Sequence, residues 1–450
     1  MRSERMIRCL LAAAAVLFLP DVPARAEALL EALSDAYASN PRLLSARARL
    51  RATDEGVPLA LSGWRPSVSV ATGFDLDYSH RSGTVIQSAD ARLTLTQPLF
   101  RGLRTVAETE RAENQVLAER ARLTATEQTV LFDVVSAYMN VVRDRALLDL
   151  STANVEVLRK QLEAVEDRFR VGELTRTDVA QAQSRLQRAI ADQVNARGDL
   201  TTSIASYVNV VGHEPRELAF PPALTSLPQG EAQAIETARL SNPNVVAADY
   251  DERAAQSNVK LTTGELYPTL SLTGDVTYRT DLGAVEDIET LTETLGATLT
   301  VPLYLAGSVY ARLRGTKQTA SQRRQDLANA QRVAIQGATS AWENLQTALA
   351  TVAAFEAEVR AQEIAYEGVQ EEARVGARTT LDVLDAEQEL FNSRVSLVRV
   401  RRDAVVSAYE VYTAIGRMTA DDLGLSGARY DPRTYYDRVR NRWAGADIER

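Results

Sequence analysis

The chain has 450 residues, a net charge of −9 and an aromatic share of only 6 %. It carries no basic stripe, which excludes a nucleic-acid binder. Cys9 is its single cysteine, and its two histidines, His80 and His213, sit far apart in turn-like contexts, so neither a disulfide, a metal centre nor a cofactor is expected.

Arg2, Arg5 and Arg8 precede the apolar run Cys9 to Leu19, and Ala24-Arg25-Ala26 supplies small residues for cleavage. Residues 1–26 therefore read as a secretory signal peptide cut before Glu27. The run is too short to stay as a membrane helix, which takes roughly 20 apolar residues. Its removal takes away four Arg, Glu4 and Asp21, a net +2, and leaves −11. No later segment is long and apolar enough to span a bilayer as a helix.

A first structural repeat is expected over residues 27–228. A short helix (Leu29, Leu30, Leu33, Tyr37) stops at Asn40-Pro41, and a second runs from about Arg42 to Leu61. The period then changes to two. Val68, Val70, Thr72, Phe74, Leu76 and Tyr78 alternate with Ser67, Ser69, Ala71, Gly73, Asp75 and Asp77, which predicts a strand over about 67–79. A second alternating run over about 90–100 sets Ala91, Leu93 and Leu95 against Arg92, Thr94 and Thr96 and ends in Gln97-Pro98-Leu99-Phe100.

Residues 103–171 contain no Gly and no Pro, and their apolar residues step by three and four: Leu131, Val134, Val135, Tyr138, Val141 and Val142, then Leu158, Leu162, Val165 and Phe169. This is an amphipathic helix forming a rod of roughly 100 Å. A rod of that length needs helical partners along its whole stripe. A returning helix over 176–211 stops at Gly212, and Pro215, Pro221, Pro222 and Pro228 mark an irregular connector.

The same order then begins again over 229–418. Asn242-Pro243 repeats Asn40-Pro41, Tyr267-Pro268 repeats Arg65-Pro66, and Val301-Pro302-Leu303-Tyr304 repeats Gln97-Pro98-Leu99-Phe100. Arg374-Val375-Gly376 repeats Arg170-Val171-Gly172, Asp382-Val383 repeats Asp178-Val179, and Ile415-Gly416 repeats Val211-Gly212. The offset is always 202 or 204. The chain is thus a tandem duplication, with strands expected at about 268–279 and 292–304, a long helix at 308–375 and a return helix at 378–415. In each half the shorter helices together nearly equal the rod, so they can stack end to end beside it. The tail, 419–450, carries no repeat and reads as a mobile segment.

Each strand has one apolar face and one face of small, hydroxyl-bearing or acidic residues. A soluble sheet packed on helices fits that alternation, and so does a membrane barrel. The aromatics favour the barrel. Trp64, Phe100, Tyr267 and Tyr304 flank the strands at the helix end, and Tyr78 and Tyr278 at the loop end, as in interfacial girdles. Four strands cannot close a barrel and open edges are not tolerated in lipid, so several chains must share it. Small inward residues favour a twelve-stranded open lumen, hence three copies.

This layout, with its Asn-Pro openings, its Pro at strand–helix junctions and the run Ala377-Arg378-Thr379-Thr380-Leu381-Asp382-Val383-Leu384-Asp385-Ala386, resembles the TolC family of outer-membrane efflux proteins over Glu27 to about Met418. The resemblance implies an α+β membrane protein: a homotrimer with a twelve-stranded barrel in outer-membrane lipid and a long helical tunnel in the periplasm. It implies docking of a periplasmic adaptor (membrane fusion) protein and an inner-membrane pump of the ABC or RND type, with the tip turns Val171, Gly172, Val375 and Gly376 as the docking points. Asp382 and Asp385 match the family's entrance aspartates. They lie at i and i+3 on one helix face, and a threefold ring of such acids attracts cations and raises the pKa of its members. Arg378 and Asp178 match a latch between helix pairs, and Ala373 stands where a tyrosine can strengthen it. Apart from the family, an exposed helix tip also accounts for these residues. No residue set suggests catalysis, and the resemblance implies a passive exit duct for efflux or type I secretion. A periplasmic coiled-coil scaffold with a small sheet is the alternative.

Overall fold

The computed structural model describes residues 27–81, 83–222, 224, 227–282 and 288–448. The expected signal peptide, 1–26, lies outside the described residues. The first half runs α1 (Leu29–Ser39), α2 (Pro41–Asp54), α3 (Gly56–Leu61), β1 (Ser67–Ser79), β2 (Thr84–Arg101), α4 (Arg104–Arg170) and α5 (Arg176–Val211). The second runs α6 (Glu231–Ser241), α7 (Pro243–Thr263), β3 (Thr269–Leu282), β4 (Ile288–Thr300), α8 (Ser308–Arg374) and α9 (Thr380–Ala414), followed by α10 (Pro432–Val439) in the tail. No described helix is long and apolar enough to cross a membrane.

α4 and α8 have 67 residues each, or about 100 Å of rod. The apolar stripe of α4 is covered piecewise. Along α4, Val57 and Ala60 of α3 pack on Ala112 and Val116. Leu43 and Leu50 of α2 then pack on Leu123, and Leu29 and Leu33 of α1 join Leu131, Val134 and Tyr138 in the central core. α5 covers the distal half, where Ala182, Leu186 and Ala189 meet Val155, Leu158 and Val165. α7 braces α4 from the other repeat through Lys260–Glu110 at 2.8 Å, Arg111–Asn258 at 3.1 Å and an Arg122–Asp251 ion pair.

The end-to-end stacking of the short helices depends on the repeated Asn-Pro. The Asn40 side chain accepts the Arg42 N–H at 2.9 Å, capping α2, and donates to the Val210 carbonyl at 2.8 Å at the end of α5. Asn242 does the same for α7 and α9, with Asn244 N–H at 3.0 Å and the Ala414 carbonyl at 3.1 Å. Each asparagine satisfies both an orphan N–H and an orphan C=O of two abutting helices.

The tail is packed rather than loose, which corrects the sequence expectation. Ala420 and Leu425 belong to the central core. Beyond them Tyr435 donates to Glu55 at 2.7 Å, Arg440 pairs with Glu113 at 2.9 Å, and Arg65 donates to the Arg442 carbonyl at 2.7 Å while lying under Trp443. Aromatic and arginine anchors spaced irregularly carry no period, so the sequence pattern hid them.

The strands form one antiparallel sheet in the order β1-β2-β3-β4, so the two repeats join at the β2–β3 pair. Cross-strand rows keep the two faces apart. Val68, Leu95, Gly274 and Leu295 make one row, and Val70, Leu93, Val276 and Glu293 the next. On the opposite face Ser69, Thr94, Asp275 and Thr294 align, with Thr94 donating to Asp275 at 2.7 Å. Glu293 interrupts the apolar face. β2 starts earlier than its alternation indicates because β1 pairs with it as far as Ser79↔Thr84. β4 ends at Thr300 rather than at Tyr304: Pro302 has no N–H for a ladder.

At the sheet–helix junction Gly102 and Gly264 touch through their backbones. Gly102 has φ +61°, and a Cβ on it would sit 2.4 Å from the Gly264 carbonyl oxygen, so both the conformation and the contact require glycine.

Candidate functional site

The apolar face of the sheet is bare. Val70 is 71 % exposed and Leu295 77 %, and Val68, Phe74, Leu76, Leu291 and Leu299 are exposed with them. Trp64 and Tyr267 are exposed at the helix end, and Tyr78 and Tyr278 at the loop end. A contiguous exposed apolar band of this kind marks a surface that meets lipid or protein. β1 and β4 are both open edges within one chain.

At the far end of the rods are two tips of the same construction. α4 stops where the Glu173 N–H reaches the Arg168 carbonyl at 2.9 Å and the Gly172 N–H reaches the Phe169 carbonyl at 3.0 Å, with Gly172 at φ +86°. α8 stops in the same way, with Ala377 N–H on the Glu372 carbonyl at 2.9 Å and Gly376 N–H on Ala373 at 3.1 Å. These are glycine-terminated Schellman turns. They leave Val171 and Val375 projecting, 72 % and 81 % exposed.

The next helix restarts in each case through a capping box. Thr175 and Asp178 begin α5, and Thr379 and Asp382 begin α9. Asp178 accepts the Thr175 N–H at 2.8 Å and its hydroxyl at 2.7 Å; Asp382 accepts from Thr379 at 2.9 and 2.8 Å. These hydrogen bonds hold both carboxyls below the usual carboxylate range: hydroxyl first, then N–H, at Asp178, and N–H first at Asp382. Within one chain the cap therefore acts on Asp382 in the direction opposite to the mutual repulsion of closely spaced acids.

Of the residues singled out by sequence, Arg378 and Asp178 are not brought together in this chain. Arg378 donates to Glu372 at 2.8 Å in its own turn. Asp382 and Asp385 share the first turns of α9, but Asp385 is paired: Arg185 of α5 donates to it at 2.6 Å. Sequence reasoning missed Arg185, because the repeat offset aligns it with Glu389 and no spacing signal points across to α9. Beside that pair Leu384, 2 % exposed, inserts between α4 and α5 in the distal core. Three residues after Leu384, Glu387 is 7 % exposed, and burial pushes its carboxyl up to about 7.

The sequence model of the family described as outer membrane efflux protein matches residues 32–213 and 234–417, one segment in each repeat. Over 444 residues the chain is 38 % identical to the outer membrane efflux protein BepC of Brucella suis, covering 97 % of this chain and 96 % of that one. It is 27 % identical to the outer membrane protein TolC of Vibrio cholerae over 411 residues, 88 % of this chain and 92 % of the other. The fold matches the outer membrane channel CmeC of Campylobacter jejuni with a TM-score of 0.79 at 16 % identity, over 92 % of this chain and 89 % of that one.

Proposed function

The chain belongs to the outer membrane efflux protein family, and from that premise we propose that three copies close into one passive exit duct fed by an inner-membrane pump through a periplasmic adaptor. The protein is an outer-membrane channel of the efflux and type I secretion class. The observation that carries the proposal is the bare apolar sheet with two open edges, set at one end of rods about 100 Å long. Lipid tolerates such a sheet only when every edge is paired with another chain. Two copies would give an eight-stranded barrel filled by side chains, whereas twelve strands leave a lumen. The polar rows face that lumen, and the energy for transport comes from the pump, since the duct has no catalytic step of its own.

The tip turns at Val171, Gly172, Val375 and Gly376 are the proposed adaptor contacts, because exposed valines on rigid turns supply apolar knobs. Asp382 and Asp385 are the proposed entrance acids. A latch between Arg378 and Asp178 has to exchange Glu372 for Asp178 at the guanidinium. It can keep the Thr175 cap, since a carboxylate has lone pairs for both.

The test is single-channel conductance of the detergent-purified protein in a planar bilayer, with mass measured in the same detergent. A trimeric mass and a small, cation-selective conductance are expected. A water-soluble species that does not insert would overturn the duct and leave a scaffold.

A further inference from the structure

We propose that Arg185 sets both the charge and the closure of the tunnel tip, a role that rests on the reading of Asp382 and Asp385 as entrance acids. Arg185 and Leu186 are adjacent on α5, and Leu384 and Asp385 are adjacent on α9. Leu384 is buried against Leu186 and its neighbours, while Arg185 and Asp385 pair at 2.6 Å alongside, their side chains 32 % and 54 % exposed. An apolar knob and an ion pair thus fasten the second repeat's return helix to the first repeat's tip. The other residues expected to join the two tips are engaged locally, Arg378 with Glu372 and Asp178 with Thr175.

Two consequences follow from this one contact. The first concerns charge. Each Asp385 carboxylate is paired directly with a guanidinium, whereas Asp382 has Arg378 only within Coulombic reach, so an entrance ring carries more of its charge on Asp382 than on Asp385. Arg185 is the specificity-determining residue, because its removal exposes one further negative charge per chain. The second concerns closure. A half-exposed ion pair shifts an equilibrium only about twofold, and three symmetric copies compound to roughly tenfold. Such a strap is weak enough for a docking partner to release.

The experiment uses the full mature chain in planar bilayers, with lanthanum chloride as the blocking probe and detergent mass as the assembly check. Arg185→Gln should lower the half-blocking lanthanum concentration about tenfold, the gain for a trivalent ion about 10 Å from three freed carboxylates after one Debye length of screening. It should also raise the time-averaged conductance severalfold. Arg185→Asp with Asp385→Arg restores the pair in reverse with the same net charge, and should return both readouts toward wild type. If Arg185→Gln changes neither readout while Asp382→Ala with Asp385→Ala weakens block, the role of Arg185 is overturned and the entrance reading stands. If the double alanine variant also leaves block unchanged, the entrance reading fails and this inference falls with it.

Discussion

The Asn40 amide reaches the carbonyl of Val210, 170 residues away in sequence, at 2.8 Å. This contact turns two separate helices into one continuous partner for α4, and Asn242 with Ala414 repeats it at 3.1 Å in the second half. Asn40→Ala removes an N-cap acceptor and strands a carbonyl in a part-buried junction, so a loss of about 1–3 kcal/mol is expected. Asn40→Ser keeps an N-cap acceptor and loses only the reach to the Val210 carbonyl, and should cost less. Chemical denaturation of the three proteins in one detergent checks the order; equal stability of all three would mean that the junction is held by packing alone.

The sheet predicts an asymmetry between its faces. Val70 and Ser69 are neighbours in β1 on opposite faces, in rows with Leu93 and Thr94 respectively. Val70→Arg places a charge on the bare apolar face and should cost up to about 4 kcal/mol in lipid, whereas Ser69→Arg on the polar face should cost little. Recovery of folded protein from the outer-membrane fraction distinguishes them. Equal tolerance of both changes would contradict a lipid-facing surface on the Val70 side.

Burial of Glu387 gives the tip a pH dependence. Its carboxyl is raised from 4.5 to about 7 by desolvation, so the folded chain binds this proton more tightly than the unfolded chain. The contribution to stability is fully present below pH 4.5 and declines as the pH rises to about 7. The full loss is on the order of 3 kcal/mol per chain. Tyr366 of α8 is its electrostatic neighbour, and because that phenol is neutral over this pH range, the sign is set by desolvation alone. Denaturation midpoints measured from pH 4 to 8 should fall for the wild type and stay nearly level for Glu387→Gln. Parallel curves for the two proteins would remove Glu387 as the cause.

The rods were legible because 67 residues without Pro repeat one pattern, and only α8 tolerates internal Gly. β1 was legible because its alternation is clean. The first third of β2 was not: Gln87, Ser88, Ala89 and Asp90 do not alternate, and their partners in β1 make them a strand. The Asn-Pro pairs stood out as landmarks, but the far carbonyl that each asparagine reaches is a property of the fold. The same holds for Arg185, whose partner is set by how α5 and α9 meet. Glu372 was overlooked for a different reason. It lies six residues before Arg378 across a turn, and only the glycine-terminated reversal at Gly376 brings the two together.

That reversal makes the Arg378 latch testable with a pair of changes. If Arg378 only stiffens its own turn, removing either member of the Arg378–Glu372 pair loosens the same loop, and both variants change conductance in the same direction. If Arg378 closes the tunnel by exchanging Glu372 for Asp178, the two variants act oppositely. Arg378→Ser deletes the latch and should raise conductance about two- to tenfold, the compounded loss of one to three exposed ion pairs. Glu372→Gln frees the guanidinium for Asp178 and should lower conductance or leave it at its floor. Asp178→Asn keeps one oxygen for the Thr175 cap but loses the charge, and should follow Arg378→Ser. Single-channel recordings of the three variants decide between the schemes, and a rise in conductance for Glu372→Gln equal to that for Arg378→Ser would confine Arg378 to its own turn.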